Sequence, residues 1–143
     1  MRRSARGFTI AELAFVLAVM GIVVSITVPT GEALIRRARA DEAHAILAAI
    51  AHQELRHWRD TGAFLACPAT GEVPKKATPF AVSDCWKSLG VAPQGEVRFR
   101  YSVEVKDGSF TAIAEGDLDG DGVTSDYRWD GRTGALTIRE ALE

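Results

Sequence analysis

The sequence predicts an α+β protein in which a long N-terminal hydrophobic helix lays its outer half on a three- or four-stranded antiparallel sheet. Three observations predict it. Between residues 8 and 28 the only ionisable side chain is Glu12. From 32 to 60 apolar residues recur at steps of three and four, and beyond 96 they alternate with polar ones. The 143 residues are 47% hydrophobic and 25% charged with a formal net charge of −2. That balance excludes a disordered chain and, by charge, a basic nucleic-acid binder. Two cysteines exclude a disulfide-dense miniprotein. The apolar residues are concentrated at the front, so the remainder is a polar piece with one small core.

Residues 1–7 carry Arg2, Arg3 and Arg6 and no acid. The apolar run that follows has the length of a bilayer-crossing helix, since about 20 residues rising about 1.5 Å each span the hydrocarbon layer. Basic residues on the short leading side predict that this end stays in the cytoplasm. The run is too long for a conventional secretory signal, and no small-residue cleavage site follows it. An ordinary single-pass anchor leaves Glu12 unexplained, because a carboxylate in an apolar helix needs a partner and the helix offers none. Cutting the chain after Gly7 supplies one. Phe8 then carries a cationic amine, which in a bundle could neutralise the Glu12 of a neighbouring copy.

Gly7-Phe8-Thr9-Ile10-Ala11-Glu12-Leu13, followed by the apolar run, resembles the class III leader of type IV prepilins and type II secretion pseudopilins. The glutamate fifth after the cut, Gly21 and Pro29 fit the same pattern. The resemblance implies a pilin fold and a pilin life cycle. A prepilin peptidase/methyltransferase cuts between Gly7 and Phe8 and methylates the Phe8 amine. The protein waits as a single-pass inner-membrane protein, in contact with lipid, until an assembly platform adds it to a helical filament of identical or related subunits. Cutting leaves 14 basic residues against 19 acidic ones, so the mature chain is acidic. The implied organisation is a leader (1–7), a transmembrane and filament-core half-helix (8–29), a head half-helix (30–60), a disulfide-bearing loop region (61–95) and a sheet (96–143).

Pro29 lacks an amide donor, so a kink or local melting is expected there. Beyond it Ala43, Ile46, Leu47, Ile50, Leu55 and Trp58 form one apolar stripe, and Glu32 and Arg36 have favourable i,i+4 spacing. Gly62 is the expected helix stop. His44, His52 and His57 all fall on this helix; without ligands from facing helices they read as solvated polar groups rather than a metal site.

Cys67 and Cys85 enclose an irregular, proline-rich segment. Outside the cytoplasm they should form one structural disulfide. Val97, Phe99, Tyr101, Val103 and Val105 then alternate with polar residues as a strand, and Asp107-Gly108 marks a hairpin. Further strands are expected at 109–115, 126–129 and 135–138. Asp117, Asp119 and Asp121 match the first ligand positions of an EF-hand-like loop, and Asp126 could add a fourth carboxylate. Arg128 stands where the bidentate acid belongs, so calcium and an exposed acidic turn both remain open, with no other cofactor expected. Arg98, Arg100 and Lys106 could touch phosphates, but in an acidic chain nucleic acid is not the expected partner. No nucleophile elbow, phosphate loop or His/acid arrangement points to an enzyme. The expected function is a structural subunit of a type IV pilus serving attachment and twitching motility, with a type II secretion pseudopilin as the alternative.

Overall fold

A computed structural model describes residues 8–117, 120 and 122–139; within the first helix the side chains of residues 26–33 and 36 lie outside that description. The elements are α1 (Ile10–Thr61), β1 (Thr78–Pro79), α2 (Asp84–Leu89), β2 (Glu96–Val97), β3 (Arg100–Lys106), β4 (Ser109–Gly116), β5 (Ser125–Asp130) and β6 (Leu136–Arg139). They divide into two compact units, Met1–Ile35 and Arg36–Glu143.

In the second unit α1 stops where the sequence predicts. Gly62 takes a left-handed φ of 80°, and its amide donates to the Trp58 carbonyl at 2.7 Å, closing the last turn without a Cβ penalty. Ala43, Leu47, Ile50 and Ala51 form the buried stripe of the helix. They share one core with Trp86 and Leu89 of α2 and with Phe99, Tyr101, Val103, Phe110, Ala112, Ala114 and Tyr127. Aromatic pairs lock it: Phe99 meets Tyr127 edge-on at 5.4 Å and Phe64 meets Phe110 at 5.0 Å. The stripe differs from expectation at its end. Leu55 and Trp58 are 43% and 48% exposed, while Glu54 is fully buried.

The hairpin at Asp107-Gly108 is as expected. Both residues have positive φ, 52° and 71°, the signature of the turn whose twist matches its flanking strands, and Lys106 opposes Ser109 across it. Strands β3, β4, β5 and β6 form one antiparallel sheet in that order. After β5 the Asp130 carboxylate accepts the amides of Arg132 and Thr133 at 2.7 and 3.0 Å. These bonds, that of Thr133 foremost, hold its pKa below the ordinary aspartate range.

The expected pilin fold is corrected on two points. It called for a long hydrophobic helix laid on a single sheet of three or four strands. Among the described residues no helix is long and apolar enough to cross a membrane. The strands form two antiparallel sheets, β1-β2 and β3-β4-β5-β6. The alternating run at 97–105 is divided between them. Val97 pairs with Thr78, whereas the Arg98 amide leaves the ladder and donates to the Glu42 carboxylate at 2.8 Å. A helix acceptor thereby interrupts a strand that its own alternation would have continued.

Two further features differ from an irregular 61–95 segment. The six-residue α2 is closed by Gly90 at φ 75°, and Cys67 bridges to Val103 by two backbone hydrogen bonds of 2.9 and 2.7 Å. The disulfide is Cys67–Cys85, with Cα atoms 5.7 Å apart. It ties the buried Cys67 beside β3 to the second residue of α2. Replacing both cysteines by alanine is expected to lower unfolding stability by about 3 kcal/mol, the chain-entropy value for a loop of this size, as read by denaturant unfolding in detergent micelles.

Candidate functional site

The candidate site is the N-terminal part of α1, in the first unit. Its first turn is organised by two residues. Thr9 precedes the helix, and its carbonyl accepts the Leu13 amide at 3.1 Å. Its hydroxyl accepts the Glu12 amide at 3.2 Å. In return the Glu12 carboxylate accepts the Thr9 amide and the Thr9 hydroxyl, both at 2.8 Å. This is a capping box, in which side chains three apart satisfy each other's orphan donors. The expectation that the helix holds no partner for Glu12 is therefore corrected: its own chain supplies one. The Thr-x-x-Glu spacing was legible in the sequence and points to this arrangement without any second subunit.

Beyond the cap the helix is apolar on every side and uncovered by its own chain. Phe8, Ile10 and Phe15 are 81%, 88% and 71% exposed, and Leu13, Leu17, Met20, Ile22, Val23 and Val24 are all more than half exposed. A water-facing helix normally keeps one polar face; here Glu12 is the only charged side chain between residues 8 and 25. The Ser25 hydroxyl is turned back onto the Ile22 carbonyl at 2.7 Å, which removes one of the few polar groups from the surface. A Cβ built at Gly21 would meet nothing within 4 Å, so no contact inside this chain requires a glycine there. The chemical capacity of this surface is burial: each large apolar side chain that becomes covered contributes about 1.5–3 kcal/mol.

The other expected site residues are dispersed. Gly7, Asp119 and Asp121 lie outside the described residues, as do the side chains of Pro29, Glu32 and Arg36, so the leader cut and that ion pair fall there. The backbone of α1 is helical through Pro29, without the local melting expected at that residue. Of the remaining aspartates, Asp117 is buried and accepts the Gly120 and Gly122 amides at 2.7 and 3.1 Å. Asp126 pairs with Arg128 at 2.8 Å. Both are engaged by protein groups, and among the described residues no cluster of three or more His, Cys, Asp or Glu could hold a metal. His44 faces Trp129, with ring centres 6.0 Å apart. The guanidinium of Arg100 is committed to Glu115 at 2.6 and 3.0 Å and to the Gly71 carbonyl at 2.9 Å.

Glu42 and Glu54 are the structurally decisive carboxylates; their sequence positions, and the Glu54-x-x-His57 spacing, suggest solvated polar groups off the apolar stripe, which the burial of Glu54 corrects. Nothing local marks them, because Glu42 meets Arg98 56 positions away. No protein-family model, curated protein or solved structure matches this chain.

If the capping box sets the start of α1, Thr9→Ala should speed exchange of the Glu12 amide in detergent micelles while Thr9→Ser leaves it unchanged. Equal exchange in all three proteins would remove the cap from the account.

Proposed function

We propose that this chain is a structural subunit of a type IV pilus filament. It is cut after Gly7, methylated on the Phe8 amine and assembled through its N-terminal helix with identical or related subunits, in the service of surface attachment and motility. The observation that carries the proposal is the uncovered apolar surface from Phe8 to Val24, on a helix with one carboxylate near its start. Such a surface is stable only against lipid or other apolar helices. Lipid covers it before assembly, while the protein sits in the inner membrane with its basic leader in the cytoplasm. Neighbouring subunits cover it afterwards.

In this reading Glu12 has a partner in both states. Alone, its carboxylate is held by Thr9. In the filament the Phe8 amine of a neighbour offers a charged partner, and a charge-assisted bond between ions is stronger than one to a neutral hydroxyl. The partners of this life cycle are the prepilin peptidase/methyltransferase and the inner-membrane assembly platform. The reading assigns no catalysis to the chain itself. The same leader also serves pseudopilins of type II secretion systems, whose short periplasmic filament is the second reading.

The test uses the native cell. A Gly7→Val protein is expected to stay uncut in the inner membrane. Glu12→Ala is expected to insert and be cut yet yield few filaments. Normal processing of the first or wild-type filament numbers from the second overturns the proposal. A deletion strain that keeps its surface filaments and loses protein export selects the secretion filament instead.

A further inference from the structure

Glu54 has no role in the filament reading, yet it is the most unusual ionisable group of the second unit. It continues the buried stripe of α1 one step beyond Ile50 and Ala51 and is 0% exposed. One carboxylate oxygen, Oε2, accepts the Leu65 amide at 3.0 Å. The other, Oε1, is buried without a hydrogen-bond partner among the described residues. A buried carboxylate with half its acceptor capacity empty strongly disfavours the ionised form.

The segment it holds is the exit from α1. Residues 63–66 lead from the helix stop at Gly62 into Cys67, which pairs with Val103 and is bonded to Cys85. In that segment Phe64 stacks on Trp58 with ring centres 6.1 Å apart and packs against Phe110 of β4. Residues 63–66 carry no ionisable side chain, and on α2 the exposed Asp84 and Lys87 pair with each other at 3.0 Å. On α1 itself Arg56 and Asp60 are exposed, and the charge that acts on Glu54 is that of His57.

We propose that Glu54 is a proton-operated latch: with its proton it holds residues 63–66 against the end of α1, and on losing it the carboxylate hydrates and the segment opens. Desolvation raises the pKa of Glu54 above the ordinary glutamate value, and it outweighs the Leu65 amide and His57, which act the other way. The closed form therefore binds the proton more tightly than the open form. Its advantage is complete below the ordinary glutamate pKa of about 4.3 and is lost as pH rises through the higher value of the closed state. Residues 63–66 are then firmest in acid and loosen towards neutral pH. This behaviour does not depend on whether the chain forms filaments.

The experiment is hydrogen exchange of the Leu65 amide in the full-length chain in detergent micelles, corrected for intrinsic exchange, from about pH 5 to about pH 8. In the wild type protection is expected to fall by up to about tenfold per pH unit until the Glu54 pKa is passed, and then to level off. Glu54→Gln keeps an oxygen for the Leu65 amide and removes the titration, so its corrected protection should be independent of pH. The same pH profile in both proteins overturns the latch. Should the variant fail to fold, the carboxyl carbon of Glu54 is titrated by NMR in the wild type. A midpoint above the ordinary glutamate range supports the latch, and one at or below it overturns the latch.

Discussion

Two carboxylates on one helix set where the rest of the globular unit can lie. Glu42 takes the Arg98 amide and Glu54 takes the Leu65 amide, so α1 acts as an acceptor for backbone that would otherwise be buried without partners. The first contact interrupts the strand run and separates the two-stranded sheet from the four-stranded one. The second fixes the exit of the helix, and from there the short path to Cys67 determines where the edge of β3 is covered. A buried amide left without its acceptor costs more than an average hydrogen bond contributes. The two glutamates therefore constrain the fold in a way that the apolar stripe alone does not.

The first unit poses the opposite problem. At the start of α1 Thr9 and Glu12 satisfy each other, while the described apolar side chains from Phe8 to Val24 stay exposed. In the globular unit an apolar core is buried and the unusual groups are polar. In the N-terminal unit the cap is complete and the unusual groups are apolar. That contrast motivates the filament proposal, in which the second kind of surface is covered by lipid and then by copies of itself.

Features with local causes were legible in the sequence. Asp107-Gly108 specified its own turn by tolerating positive φ, and Gly62 stopped the helix for the same reason. Tyr101 and Val103 of β3 and Phe110, Ala112 and Ala114 of β4 are buried as alternation requires, whereas Val105 is exposed and Ser102 is buried against that pattern. The disulfide followed from a count of two cysteines. Features with distant causes were not legible. The break after Val97 depends on Glu42. The burial of Glu54 in place of Leu55 and Trp58 depends on the Leu65 amide needing an acceptor. A helix as short as α2 has too few turns to show a period. At the candidate site the apolar run and Glu12 were plain from composition. The capping box was equally plain from Thr-x-x-Glu spacing, since the partner of Glu12 is a neutral hydroxyl and amide rather than a charge.

The claim on which the functional account rests is that the N-terminal helix begins at a newly made end. Intact mass and N-terminal fragment analysis of the protein purified from its native cell test it most directly. The account predicts a chain that starts at Phe8 and carries one methyl group on its amine. A chain that still bears residues 1–7 would contradict it.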